Sequence, residues 1–425
     1  MIQIIKYPER KDWKNILQRP KADSIVIVDT VCSIMKDIKE NGDKALKKYT
    51  KQFDGFLLDE IIVSKTEFTE GKKIPALLKS AISQAAANII KFHEKQLRPI
   101  EFVETMPGIE CRRKSVAIEK IGLYIPGGTA PLFSTLLMLG IPAVLAGCNE
   151  IIVCTPADNM GKVHPAILYT ASLIGINKIY KIGGAQAIAA MAYGTATVPQ
   201  VYKIFGPGNQ YVTTAKQLVQ QDGIAIDMPA GPSEICVLAD GNANAEFIAA
   251  DLLSQAEHGK DSQVLLITTS EVLAGKVIHN IAEQILTLSR NKIALAALQN
   301  SKIILVKSID EGITMVNEYA PEHLIISCNE EESIAESIIN AGSVFIGNYS
   351  PESVSDYASG TNHVLPTNGF AKAYSGLSVE SFVKKITFQK LSYEGLQNIS
   401  KTVIAMAEAE GLDAHANAVK IRLKN

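Results

Sequence analysis

The chain is 425 residues long, 47% hydrophobic and 20% charged, a globular composition with material for about two to four domains. Lys and Arg number 42 against 44 Asp and Glu, and aromatics make up 6%. That balance argues against a basic, base-stacking surface for nucleic acid.

Met1–Pro8 shows no basic region followed by an apolar stretch of signal length. The longest apolar run, Ala130 to Gly147, contains Pro131 and Pro142 and falls short of a span of about 20 residues, so it reads as a buried helix. Cys32, Cys111, Cys148, Cys154, Cys236 and Cys328 are scattered without CxxC or metal-ligand spacing, so a reduced, cytoplasmic protein is expected. Cys148, Cys154 and Cys236 lie in or beside apolar runs and read as inert thiols.

Residues 1–115 read as helices with loops. Thr30 to Glu40 is a helical pattern ended by Asn41-Gly42, with Asp43 placed to cap the next helix, and Pro75 opens another. From Glu119 the texture changes to short apolar runs: Ile121–Ile125, Ile151–Cys154, Lys178–Ile182, Tyr202–Phe205, Ile235–Ala239, Val264–Thr268, Ile303–Val306, Leu324–Ser327 and Val344–Ile346. Helix-length stretches such as Val163–Ile174, Ala185–Ala192 and Ala243–His258 separate most of them. This is the pattern of buried parallel strands with helical crossovers, an α/β class. Pro and Gly cluster at Asp227–Pro232, where a division gives two α/β domains, 116–232 and 233–376. After Leu377 the pattern returns to helices, Asn398–Glu410 and Asp413–Leu423, a terminal arm over 377–425.

Three polar segments and a set of glycine loops stand out. Gln255 and His258, three apart near the end of a helical pattern, share one face and could approach one cation; alternatively His258 only caps the last turn. Glu322 and His323 stand just before an apolar strand, as two proton acceptors of different basicity or as solvated loop residues. Asn348–His363 is too polar for core, and Asp356, Asn362 and His363 are chemically plausible there, with a capped turn as the structural alternative. The loops Pro126–Thr129, Gly183–Gln186 and Gly206–Asn209 each follow a strand candidate and precede a helical run, a place for an anion. None is a dinucleotide fingerprint, since Tyr211 stands where the third glycine belongs.

Taken together, the segments Gly122–Gly128, Gly183–Ala189, Lys203–Asn209, Ile226–Glu234, Asp251–Gly259, Pro321–His323, Asp356–Pro366 and Ala409-Glu410 with His415 resemble the histidinol dehydrogenase family, in family order over residues 115–420. The resemblance implies a zinc-dependent, NAD-linked oxidation of L-histidinol to L-histidine through the aldehyde, using water and two NAD, the last step of histidine biosynthesis. It implies zinc ligands Gln255, His258 and Asp356, with His415 supplied by the second subunit of a homodimer. Glu322 and His323 become the proton acceptors. Ser233, Gln255, His258, His323, Asp356, Glu410 and His415 would surround the substrate, and Tyr124, Gln186 and Asn209 would contact NAD. The implied fold has two Rossmann-like domains, residues 1–115 packing with the second of them, and small helical extensions that intertwine in the dimer. Two competing readings are a zinc hydrolase using Glu322 and a non-catalytic histidine-binding protein.

Overall fold

The computed structural model describes residues 2–20, 24–127, 131–229 and 231–424. Gly128, Thr129 and Ala130, within one glycine loop and at the start of the long apolar run, lie outside the described residues, as does Ala230.

Two parallel sheets form the body. The first has five strands in the order β6 (Ile179–Tyr180), β5 (Glu150–Cys154), β4 (Lys120–Tyr124), β7 (Lys203–Phe205), β8 (Ala225–Ile226). The second has six: β1 (Gln3–Lys6), β11 (Lys302–Leu305), β10 (Gln263–Thr268), β9 (Glu234–Ala239), β12 (His323–Ser327), β13 (Ser343–Ile346). All nine strand-like runs of the sequence appear in these sheets. Their side chains alternate between two helical layers, as a strand's period of two requires. Ile121 and Leu123 face the core shared with helices Ala76–His93 and Phe133–Ala146. Tyr124 and Ile152 face the opposite core with helix Gly184–Tyr193. The second sheet divides the same way, with Ile235 and Val237 on one face, Cys236 and Leu238 on the other.

The run after Pro131 is a helix, Phe133–Ala146, buried on all sides through Ala143 and ended by Gly147 in the left-handed region. Ser24–Asp54 is kinked at Gly42, where the Asn41-Gly42 break was expected. Asp43 accepts the Thr197 hydroxyl and so ties the kink to a loop of the first sheet.

The structure departs from the sequence reading in three places. Residues 1–115 are not purely helical: Gln3–Lys6 is an edge strand of the second sheet, and β2 (Glu101–Met106) and β3 (Ile109–Ala117) form a hairpin. The C-terminal arm begins with β14 (Val383–Leu391), antiparallel to β3, before its helices Tyr393–Ala409 and Asp413–Arg422. The helices of the first hundred residues also pack elsewhere than expected. Ser24–Asp54 and Ala76–His93 cover the first sheet, and only β1 and the segment with Trp13 and Leu17 join the second. Their apolar faces show that they need a sheet to cover but carry no label for which one.

Candidate active site

In each sheet the chain runs outward in one direction and then returns to the other side, so strand order reverses between β4 and β7 and between β9 and β12. Such a reversal opens a crevice between the loops at the strands' carboxyl ends. In the first sheet those loops approach so closely that only glycine fits. A Cβ on Gly206, at φ +127°, would collide with the Tyr124 carbonyl oxygen, and one on Gly127 or Gly183 would collide with Pro156. Buried Lys216 pairs with Asp227 and donates to the Gly206 carbonyl at 2.8 Å, while Asp227 accepts the Gly206 N–H at 2.8 Å.

Tyr124, Gln186 and Asn209 are all found at this edge. The Tyr124 hydroxyl accepts the Gly184 N–H at 3.0 Å, at the start of helix Gly184–Tyr193, and burial pushes the phenol up to about 12. Gln186 is buried in the first turn of that helix. Asn209 caps helix Gln210–Gln221, its Oδ1 accepting from the Tyr211 and Val212 N–H groups. Tyr124 and Asn209 thus organise the backbone of two helix N-termini, and Gln186 lies in the first turn of one of them, where backbone donors face a crevice suited to an anion.

The second sheet puts its polar residues at the opposite, amino edge. A helix following a strand runs back antiparallel, so Ala245–Ala256 returns to the edge where β9 began and delivers Gln255 and His258 there. The helix stops at Ala256, so His258 lies in the turn beyond it, its N–H bonded to the Gln255 carbonyl at 3.2 Å. Glu322 and His323 enter β12 beside the start of β9. The short helix Glu352–Tyr357 packs on Ala245–Ala256 and brings Asp356.

The backbone of one residue, Glu234, organises both proton acceptors. Glu234 donates its N–H to Glu322 Oε2 at 2.9 Å, and its carbonyl lies 3.2 Å from His323 Nδ1. With Nδ1–H donated to that carbonyl, His323 is the tautomer whose Nε2 carries the lone pair. That Nε2 is buried and has no partner among the described residues. Burial lowers the imidazole to about 3, assisted by His258 and His363, and so keeps it neutral. Burial raises Glu322 well above the usual carboxylate range, with Glu234, Glu352 and Asp356 adding repulsion. The two neighbours are thus pushed in opposite directions. Ser233 stands immediately before Glu234 at the same edge.

Beside them, Gln255 is fully buried with both amide atoms unpaired among the described residues. His258 Nε2 is 3.9 Å from Asp356 Oδ2, and ligand atoms of His258, Glu352 and Asp356 all lie within 4.8 Å of one another. Burial raises Asp356 to about 6 against the pull of His258. An unpaired buried amide costs about 1–3 kcal/mol per group, so this pocket fits a cation that the amide oxygen, the carboxylate and the imidazole would share.

Glu352 was not singled out by the sequence reading. It is 1% exposed, its Oε1 is unpaired among the described residues, and it lies 3.6 Å from His323 Nδ1. Its spacing, four before Asp356 on one helical turn, is the signal that could have found it. Asn362 is structural, donating to the Met138 carbonyl at 2.7 Å and accepting from Val364. His363 spans the two layers, 2.9 Å from the Asp356 carbonyl and 3.3 Å from Thr135 Oγ1 in the first turn of Phe133–Ala146. It joins the carboxyl edge of the first sheet to the cluster at the amino edge of the second.

Glu410 and His415 do not join this cluster. Both are exposed on the C-terminal arm. No cysteine is needed: all six are free thiols, and burial pushes Cys148 up to about 11 and Cys154 and Cys236 higher.

A family model described as histidinol dehydrogenase matches residues 17–423. A histidinol dehydrogenase of Bacteroides thetaiotaomicron is 55% identical over 424 residues, covering 100% of this chain and 99% of the relative. One of Colwellia psychrerythraea is 50% identical over 421 residues, covering 98% and 96%. The crystal structure of histidinol dehydrogenase from Elizabethkingia anophelis is similar with a TM-score of 0.97 at 54% identity, covering 100% of this chain and 98% of that one.

Proposed function

The chain belongs to the histidinol dehydrogenase family, an oxidoreductase family of histidine biosynthesis, and from that premise we propose that it oxidises L-histidinol to L-histidine with two NAD, water and one zinc ion. The observation that carries the chemistry is the Glu234 backbone holding a neutral imidazole and a basic carboxyl beside a buried amide without partners among the described residues.

Gln255, His258 and Asp356 would hold the zinc, with His415 of a second subunit completing the set. Bound zinc would supply a redox-silent Lewis acid for the substrate's nitrogens, and NAD the hydride acceptor. His323 Nε2 would take the hydroxyl proton as the carbinol hydrogen leaves as hydride, giving the aldehyde. Glu322, a stronger base than an ordinary carboxylate because burial disfavours its charge, would take a proton from water as it adds to the aldehyde carbonyl. The resulting hydrate loses a second hydride and proton to give the acid. Ser233, with Glu410 of the second subunit, would line the substrate. Tyr124, Gln186 and Asn209 would place the NAD by ordering the glycine loops around it, in the first of two Rossmann-like domains.

Support for an intertwined homodimer comes from the arm. Ile386, Phe388, Met406 and Ile421 on it, with Phe102 on the adjoining hairpin, are 38–61% exposed, an apolar surface that a second copy would cover. Among the described residues no helix is long and apolar enough to cross a membrane, and six free thiols suit a reduced cytoplasm.

The test is the NADH formed per limiting histidinol, with chelator and then with zinc restored. Two NADH per substrate, lost on chelation and regained with zinc, is expected. One NADH would remove the water step from Glu322, and none would leave the hydrolase reading.

A further inference from the structure

Arg19 lies in the N-terminal segment, some 300 residues from the Glu322-His323 pair. The backbone around it is anchored in the second sheet's core: Leu17 is buried there, and Gln263 donates to the Gln18 carbonyl at 3.2 Å. From this anchor the guanidinium reaches under the amino edge of the sheet. Its Nε and Nη2 form a fork with the two carboxylate oxygens of Glu234, the Nη2 bond being 2.7 Å. Nη2 also donates to the Tyr319 carbonyl at 2.8 Å and more weakly to the Ala320 carbonyl at 3.4 Å. The guanidinium stacks 3.9 Å above the Tyr319 ring, whose hydroxyl donates to Gln263 Oε1 at 2.9 Å.

Each partner leads directly to a proton acceptor. Glu234 is the residue whose N–H binds Glu322 and whose carbonyl faces His323 Nδ1. Tyr319 and Ala320 are the last residues before Pro321, Glu322 and His323. Ala320 has φ +53°, a left-handed conformation that is strained for a residue with a Cβ and persists only where neighbours hold it. Arg19 therefore grips both sides of the dyad, the strand that hydrogen-bonds it and the turn that delivers it.

We propose that Arg19 is a positioning residue for the oxidation, fixing through Glu234 and the 319–320 turn where His323 Nε2 and the Glu322 carboxyl stand. This rests on the reading of those two groups as proton acceptors. Packing alone does not require the pair. Glu234 is 2% exposed and the Arg19 side chain 16%, and a buried ion pair is commonly no more stabilising than an apolar pair of the same volume. A planar fork with stacking adds direction, which lysine cannot reproduce.

The experiment compares zinc-loaded wild type, Arg19→Lys, Arg19→Ala and His323→Ala for kcat, both KM values, bound zinc and thermal midpoint. Arg19→Lys is expected to lose about 10- to 100-fold in kcat, the scale of a roughly 1 Å misplacement, with both KM values and zinc content within about twofold of wild type. Millimolar guanidinium, entering the partly open Arg19 position, is expected to restore kcat of Arg19→Ala several-fold, while ammonium does not. Unchanged kcat in Arg19→Lys overturns the proposal. So does a kcat loss matched by zinc loss, or guanidinium that raises the thermal midpoint without raising kcat. If Arg19→Ala fails to fold, Glu234→Gln replaces it: it keeps the Glu234 backbone contacts but sets an amide NH2 against a guanidinium N–H, so kcat is expected to fall as in Arg19→Lys with zinc retained, and an unchanged kcat overturns the proposal. Full activity in His323→Ala would remove the dyad and the clamp together, whereas its loss beside an intact Arg19→Lys would remove the clamp alone.

Discussion

The two sheets share a topology but use opposite edges. At the carboxyl edge of the first, Gly127, Gly183 and Gly206 let loops crowd together, and the side chains there, Tyr124 and Asn209, are spent on backbone N–H groups. At the amino edge of the second, Glu322, His323, Glu352 and Gln255 are buried with charge or unpaired atoms left over. The first edge is a shape made by backbone, the second a set of desolvated groups that need something from outside the chain. Binding a large cofactor calls for the former, and proton transfer beside a cation calls for the latter.

The sharpest way to break this contrast is at the second edge. His323→Ala is expected to lower turnover by about 10²–10⁴-fold while zinc stays bound, since the proposal makes the imidazole a base and not a ligand. Parallel loss of metal in an elemental assay would undo that division of roles. Mixed dimers carrying His323→Ala in one subunit and His415→Ala in the other are expected to keep one working site of two. No activity above that of the single-variant dimers would mean both residues serve one chain.

The first edge is tested by Gly206→Ala. At φ +127° against the Tyr124 carbonyl, the added methyl must push β7's loop away, raising the KM for NAD by about tenfold or more while the zinc content is untouched. An equal rise in the histidinol KM would show that the edges are not separable.

A pH experiment sharpens the desolvation claim. Unfolded His323 titrates near 6.5 and folded His323 at about 3, so below pH 6.5 the unfolded chain takes up a proton that the folded one refuses. Stability is therefore lost as pH falls from 6.5 toward 3, by about 2 kcal/mol at pH 5 from this group. His323→Asn lacks this liability, so its urea midpoint should gain on wild type between pH 7 and pH 5. A constant difference would mean the imidazole is solvated. The smallest effect is expected from Tyr124→Phe, which removes one acceptor for the Gly184 N–H and should raise the KM for NAD a few-fold, about 1 kcal/mol.

Much of this was legible in the residues. The nine apolar runs became strands because a strand covered on both faces must be apolar throughout, and that requirement is written locally. The kink at Gly42 and the ends at Gly147 and Pro75 are equally local, set by backbone conformations few residues permit. Strands β1, β2, β3 and β14 were not visible, because their partners lie far along the chain or their side chains face solvent. Resemblance to a family supplied the candidate roles of Gln255, His258, Asp356, Glu322 and His323, and residue type alone made them plausible.

What tertiary structure alone decided is which groups are desolvated and what they touch. That His323 is neutral with a free Nε2, that Glu322 is pushed the other way, and that Glu352 and Arg19 stand beside or behind them depend on Glu234's backbone and on burial by distant segments. A residue's identity sets which protons it can carry. Its surroundings set how tightly it holds them, and those surroundings come from across the whole chain.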